Sequence, residues 1–420
     1  MLAPMDTISS VVHPRTDCRL CGSADLTQIM DFGQTPLANA YLSSKELDQP
    51  EVFASLVVNF CNNCKLVQLR DVVDPKVLFS RYLYVSGTSP VFVAHFADYA
   101  KSVTKRFQLS GDSLVIDVGS NDGVLLTQFK KEGTKILGVD PAENIAAEAT
   151  QSGIPTLAKF FTPETATGVE AEYGKASVIT ANNVFAHTDD VIGFVEAVKV
   201  LMAKDGAFIF EVQYLKDLVE QNLFDIIYHE HLLYYHITPL IPFFKSKGLR
   251  VFDVEHIPTH GGSIRVYVGW DDGPHATSTH VEEMCKGESD LNAVHTYEAF
   301  MTRIASGKEK LVAMIADIRD QGKRIVGFGA PAKATTLCYA YGIDATMLEY
   351  IVDDSPLKQG LYMPGTHILI KPSSALYEDK PDYCVILAWN FAVPIVKNHQ
   401  KFIENGGIFI SPVPEPHILS

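Results

Sequence analysis

The sequence predicts an α/β fold in which two doubly wound, Rossmann-like domains follow a small N-terminal zinc-binding region. Three observations carry this. Two C-x-x-C pairs lie within the first 64 residues. From about residue 90, the apolar runs "SLVIDVG", "KILGVD", "ASVITANN" and "AFIFEV" alternate with amphipathic helical stretches, which implies β-α-β units around a parallel sheet. After a helical stretch from about Ser289 to Gln321, the alternation returns as "RIVGFGA", "EYIVDD", "CVILAW" and "GGIFIS". The expected boundaries are residues 1–80, 81–285 and 286–420.

Composition narrows the function. The 420 residues are 47% hydrophobic and 20% charged, ordinary for a globular protein with sizeable cores. The net charge of -15 argues against nucleic-acid binding, which needs a clustered basic surface. No apolar run is long enough to span a bilayer, so no membrane partner is expected. The start, "MLAPMDTISSVVHPRTD", lacks a basic region followed by an apolar core, and the expected location is cytoplasmic.

In the N-terminal region, Cys18 and Cys21 stand in "CRLCG", and Cys61 and Cys64 in "CNNCK". Each pair can clasp one side of a tetrahedral ion. Four thiolates satisfy zinc and leave no open position, so a structural site is expected. Its binding would contribute to the folding of a block too small for a strong core. Cys285, Cys338 and Cys384 read as ordinary thiols.

In the central domain, "SLVIDVGSNDGVLLTQF" runs strand, glycine turn, helix. Asp117, Gly119, Asn121 and Gly123 differ from G-x-G-x-x-G and resemble the first motif of class I S-adenosylmethionine-dependent methyltransferases. A glycine at 119 lets the backbone pass close to a cofactor. Asp117 is placed to attract the ammonium of the methionine end, and Asp140, closing the next strand, to accept from ribose hydroxyls. A plain helix–strand packing turn is the competing reading. The third strand end, "ANNVFAHTDD", adds Asn182, Asn183 and His187 at the same sheet edge, with His187 open to a site role or a structural one.

The densest stretch is "DIIYHEHLLYYH", Asp225 to His236, with three histidines, three tyrosines and a glutamate. A zincin helix needs H-E-x-x-H, but the last position is Leu233. A zinc deaminase needs H-x-E with its own downstream C-x-x-C, also absent. Proton chemistry remains, because histidine titrates near neutrality and a neighbouring glutamate or tyrosine can orient it. The alternative is a surface helix rich in aromatics. Between the first two domains, "SRYLYVSGTSPVF" forms a polar strip with Tyr82, Tyr84, Ser86 and Ser89, either closing over a site or merely connecting.

In the last domain, "KRIVGFGAPAKATTLCYAYG" places Gly327, Gly329 and Ala332 as G-x-G-x-x-A, with Lys333 on the first helical turn. Alone this reads as a dinucleotide fingerprint, leaving a nicotinamide-dependent reductase or epimerase open. It equally suits any pyrophosphate at a helix N-terminus.

Taken together, "CRLCG", "FGQTPLANAYL", "CNNCKLVQL", "YLYVSGTS", "VGSNDG", "NNVFAH", "YHEHLLYYH", "GGSIRVY" and "GFGAPAKATTL" resemble the zinc-containing sugar C-methyltransferases. The resemblance runs from about Asp17 to Pro414. It implies a zinc-bearing region closing over a methyltransferase domain, and a C-terminal Rossmann-like domain cradling a nucleotide sugar. The cofactors implied are S-adenosylmethionine and structural zinc. The implied substrate is a 4-keto-deoxysugar on a nucleotide such as dTDP, methylated at C3. The family's base falls on His231, with Tyr228 and Glu230 beside it, and its further site residues on Tyr82 and His187. Ser86, Ser89 and Asn182 join the expected cofactor contacts, and Gly327, Gly329 and Lys333 the substrate contacts. A non-sugar activated ketone, or a zinc-knuckle binding protein on a relic core, are the other readings.

Overall fold

The computed structural model describes residues 11–79 and 90–419, and it has the predicted α/β architecture. Strands are numbered in chain order. The N-terminal block pairs β2 (Leu26–Pro36), β3 (Phe53–Cys61) and β4 (Val67–Leu69) as antiparallel neighbours, and β1 (Val12–Pro14) with β5 (Asp71–Val73). Its sheet takes its last strand from far along the chain: β11 (Leu233–Tyr234) pairs with β4 in the register Leu233↔Gln68 and Tyr234↔Val67. The zinc block is thus completed by the histidine- and tyrosine-rich stretch.

The central sheet has seven strands in the order β12-β13-β10-β9-β6-β7-β8. These are β6 (Leu114–Val118), β7 (Lys135–Val139), β8 (Thr156–Leu157), β9 (Ala176–Asn182), β10 (Met202–Gln213), β12 (Leu249–Ile257) and β13 (Ser263–Trp270). The first five run parallel, and β13 runs antiparallel to both its neighbours. Helices cover both faces of a parallel sheet, so its strands read as continuous apolar runs rather than alternating ones. All five residues of β6 are buried. The chain builds β6, β7, β8 in one direction and β9, β10 in the other. The order therefore reverses between β6 and β9, where an open α/β sheet leaves a crevice for a ligand.

The C-terminal sheet repeats this logic in the order β16-β15-β14-β17-β18-β19. Its strands are β14 (Ile325–Phe328), β15 (Ile351–Asp353), β16 (Ile370–Pro372), β17 (Tyr383–Ile386), β18 (Ile408–Ser411) and the antiparallel β19 (His417–Leu419). Its reversal lies between β14 and β17. At both reversals a glycine is required. Gly119 follows β6 at φ 67°, and a Cβ there would lie 2.2 Å from Val184 Cγ2 on the loop leaving β9. Gly329 follows β14 at φ 87°, and a Cβ there would lie 2.5 Å from Ala388 Cβ on the loop leaving β17. In each domain the missing side chain lets the two loops flanking the crevice pack together, and only glycine adopts that backbone without strain.

The predicted helical stretch begins as a 3-10 turn, Ser289–Asn292, and continues as the helix Val294–Asp320. Just ahead of it, Glu288 is wholly buried. Its carboxylate accepts from Tyr214 Oη at 3.0 Å, from the Ile237 and Thr238 amides at 2.8 and 2.9 Å, and from Thr238 Oγ1 at 2.7 Å. It so caps the helix Ile237–Ser246, whose first amides have no partner within the helix. No described helix is long and apolar enough to cross a membrane. Glu288→Ala should lower unfolding free energy by about 3 kcal/mol in urea denaturation, because hydrogen bonds to a charged group are lost and buried donors stranded.

Candidate active site

The four cysteines of the N-terminal block converge. Cys18 and Cys21 bracket a tight turn, Cys61 closes β3, and Cys64 lies in the turn before β4, where Lys65 has φ 72°. Every Sγ lies within 4.8 Å of the others; Cys18 to Cys64 is 3.5 Å and Cys21 to Cys61 is 3.6 Å. A tetrahedral zinc with bonds of about 2.3 Å sets its sulfurs roughly 3.8 Å apart, so this cage fits the ion with little movement. Four thiolates fill its coordination sphere. The metal's contribution is to the fold, not to chemistry.

One cavity of about 760 Å³ takes its walls from all three parts of the chain. That is within the usual range for a small-molecule site. Gly119, Asn121, Asp140 and Asn182 line the part beneath the central crevice. Asp140 Oδ2 accepts from the Asn121 amide at 2.8 Å, and Oδ1 from the Ala142 amide at 2.9 Å, which fixes its carboxylate at the end of β7. Asn182 lines the wall with both side-chain amide atoms shielded and without hydrogen-bond partners among the described residues. A buried amide left open is rare. Here it offers a donor and an acceptor to a polar ligand, and the wall suits an adenosyl group on that ground.

Asp117 and Gly123 stand behind this wall and do not line it. Asp117 accepts from Thr180 Oγ1 at 2.6 Å. Burial pushes its carboxyl up to about 7, against the pull of the Thr180 hydroxyl. At Gly123, φ is 75° and a Cβ would lie 2.7 Å from Ile154 Cγ2.

His231, Tyr228 and His187 line the cavity together. The His231 ring centroid is 4.0 Å from that of Tyr228 and 5.0 Å from that of His187. His231 Nδ1 is 2.7 Å from the Ile226 carbonyl, which can only accept; Nδ1 therefore carries the proton and Nε2 the lone pair. Burial lowers the ring to about 4, partly offset by that carbonyl. Burial, and then His231, hold His187 well below its ordinary value. Both rings are neutral at pH 7. Glu230 is buried outside the lining and accepts from Asn39 Nδ2 at 2.5 Å, so the zinc block's Asn39, itself on the wall, is tied to the residue beside His231. Tyr82, Tyr84, Ser86 and Ser89 lie outside the described residues.

The stretch carrying His231 is not a surface helix. It is a buried loop with a 3-10 turn at Phe224–Ile226 and the short strand β11. His229 and His236 are buried away from the cavity, and burial lowers them to about 4 and about 3.

The C-terminal domain supplies two enclosed cations. Lys333 lines the wall at the start of the helix Ala332–Tyr341. Its Nζ donates to Asn390 Oδ1 at 2.5 Å and sits 3.7 Å from the Trp389 ring centre. Burial lowers its pKa to about 8, opposed by Asp225, whose Oδ2 accepts from the Trp389 indole at 2.5 Å. Lys358, also on the wall, donates to the Ala330 carbonyl at 2.7 Å, and Tyr41 Oη donates to the same oxygen at 2.5 Å. Asp353 closes β15 at the wall and accepts from the Ala330 and Ser355 amides. Gly327 and Gly329 shape the loop without lining the cavity. Asn39, Lys358 and Asn390 carry no signal in the sequence, whereas Asp353, which with Asp354 ends the strand after the second glycine loop, belongs to the dinucleotide-like pattern read there.

Three family models match successive parts of the chain: a zinc binding domain over residues 18–79, a methyltransferase domain over 93–254, and a C-methyltransferase C-terminal domain over 258–414. C-methyltransferase NovU of Streptomyces niveus is 35% identical over 415 residues, covering 98% of this chain and 99% of that protein. Among solved structures, magnesium protoporphyrin IX methyltransferase from Synechocystis PCC 6803 is 14% identical, covering 46% of this chain and 90% of its own at TM-score 0.34. PH0226 from Pyrococcus horikoshii OT3 is 11% identical, covering 44% and 94% at 0.35. Scores this low carry no weight for function. The near full-length match does: the chain belongs to the S-adenosylmethionine-dependent C-methyltransferases that carry an N-terminal zinc-binding domain.

Proposed function

We propose that this enzyme methylates C3 of a nucleotide-linked 4-keto-deoxysugar, dTDP-linked in the first instance, with His231 as the base. One observation carries the reading: a neutral imidazole with its lone pair on Nε2 lines a cavity walled by a methyl-donor crevice on one side and by Lys333 and Lys358 on the other. Work divides by region: residues 1–80 cover the site, 81–285 hold the methyl donor, and 286–420 hold the nucleotide sugar.

The chemistry explains the arrangement. A carbon bearing hydrogen is a poor nucleophile, but beside a ketone its proton can be removed to give an enolate. When bound, S-adenosylmethionine supplies an electrophilic methyl group. Asp140, Asn121 and Asn182 would hold it. His231 Nε2 takes the C3 proton, and the Ile226 carbonyl orients the ring and supports the imidazolium through Nδ1. Tyr228 and His187, whose rings flank His231, stabilise or relay charge at the C4 oxygen. Tyr82 belongs to the same proposal on the family resemblance alone. Lys333 and Lys358 offer two positive charges to a diphosphate, beside free amides at the start of Ala332–Tyr341. Asp353 is placed to accept from a sugar hydroxyl.

The direct test is mass spectrometry of dTDP-4-keto-6-deoxyglucose incubated with enzyme and methyl donor. A product heavier by one methyl in place of hydrogen is expected; no product with this or any other nucleotide-keto-sugar removes the substrate assignment. His231→Ala should bind S-adenosylmethionine normally by calorimetry, yet lose about 10³-fold in kcat and all exchange of the C3 hydrogen in heavy water. Wild-type kcat in that variant takes His231 out of the reaction.

The two shifted groups set a pH window. kcat/KM falls below about pH 4, as His231 gains a proton and its lone pair is lost, and above about pH 8, as Lys333 loses one and its charge disappears. In Lys333→Ala the basic limb should vanish and KM for the nucleotide sugar rise about 10- to 100-fold, or 1.4–2.8 kcal/mol at roughly 1.4 kcal/mol per decade. KM for S-adenosylmethionine should hold. A basic limb surviving in that variant would assign it elsewhere.

A further inference from the structure

Arg19 lies between two of the zinc ligands, and its side chain is fully buried. Its guanidinium turns away from the thiols. Nη1 donates to the Leu69 carbonyl at 2.6 Å, and Nε donates to Asp189 Oδ1 at 2.9 Å. Its amide donates to Gln68 Oε1 at 3.0 Å, and Gln68 Nε2 donates to the Asp17 carbonyl at 2.9 Å. Arg15 brings a second guanidinium to Asp189, with Nη1 3.1 Å from the same carboxylate oxygen and Nε bonded to Asp17. Asp189 follows His187 by two residues on the loop leaving β9, and both line the cavity.

Simple docking of the zinc block onto the central domain does not call for this pair. Burying the Arg19 guanidinium costs desolvation that apolar packing avoids, and Asp189, with 32% of its side chain exposed, offsets only part of it, so this ion pair is weak evidence for stability. The best-attested use of such a pair is to fix one arrangement among several. Here the root of the arginine is fixed by the metal loop, and its head holds a wall of the reaction cavity.

We propose that the zinc knuckle positions the reaction site. Arg19 transmits the fixed geometry of the Cys18–Cys21 turn to Asp189, and so sets where the His187 ring stands against His231. Arg19 and Asp189 are positioning residues. The proposal deepens the reading above, since it takes His187 and His231 as parts of the reacting centre; its first readout needs no substrate.

The test is Arg19→Lys, which keeps the charge but cannot reproduce the fork that reaches both Leu69 and Asp189. Asp189→Asn serves as its partner and as the substitute if Arg19→Lys does not fold. Zinc content, thermal unfolding, imidazole NMR of the ligand-free protein and steady-state kinetics are measured on each. Expected are one zinc per chain, shifted His187 and His231 ring resonances, and a loss of about 100-fold in kcat, the scale on which a 1 Å misplacement acts. KM for S-adenosylmethionine should stay within about twofold, and the double variant should lose no more than the worse single one, since the two act through one contact. Unmoved ring resonances with unchanged kcat overturn the proposal. So does loss of zinc or stability with unchanged kcat per folded molecule. If the substrate assignment is wrong, the parent enzyme also fails to turn over the sugar, while the ring resonances still report on the positioning.

Discussion

Two residue pairs, Leu233 with Gln68 and Tyr234 with Val67, hold the molecule in working order. They add a strand from the central region to the sheet of the zinc block. A two-residue strand has little stability alone. It persists because the zinc cage fixes one side and the Glu288 cap fixes the helix that follows. The consequence reaches the chemistry: residues between His229 and Tyr235 are drawn under the zinc block and out of water. Without that cover His231 would titrate near 6.5, and at neutral pH a sizeable part of it would be charged and unable to accept a proton.

Charge in the cavity is held in place rather than left free. Burial keeps His231 and His187 neutral, since desolvation disfavours their ionised form. In the C-terminal domain Lys333 and Lys358 are enclosed yet keep hydrogen-bond partners, and Asp353 beside them is tied down by backbone amides. In the central domain Asp140 is tied down in the same way, and Lys159 adds an exposed cation to the wall. Each crevice therefore presents both signs of charge to a ligand. The two crevices deliver this without special design, because each sheet binds at its own reversal of strand order.

The parts legible in the sequence were those set by local rules. Two C-x-x-C pairs, strand–glycine–helix units and the concentration of histidine and tyrosine each follow from what a metal, a turn or a proton site requires over a few residues. What stayed hidden depends on contacts between distant segments. Glu288 reads as one more acidic residue near a helix, yet it caps a different helix some fifty positions earlier. Asn39 and Lys358 reach the cavity only because the three regions close on it. The glycines carry a second demand that the local pattern does not show. Gly119 and Gly329 read as points of ligand approach, and the nearest atoms to their missing Cβ belong to Val184 and Ala388, so the fold itself needs them as well.

The same segment also joins the two ends of the site. Asp225 and His231 are six residues apart on a buried loop. Asp225 accepts from Trp389, and Trp389 lies beneath Lys333. Burial pushes Asp225 up to about 6, against the pull of Lys333 and the Trp389 indole. The carboxylate is thus held ionised largely by the cation it faces, and each charge makes the other affordable in an enclosed setting. A change at Lys333 is then felt at the root of the loop that carries His231. The loop cannot absorb it by shifting freely, because the Ile226–His231 hydrogen bond and the β11 pairing fix the loop's later part. The Lys333 wall and the His231 loop are therefore one packed unit, in which electrostatics at one end constrains geometry at the other.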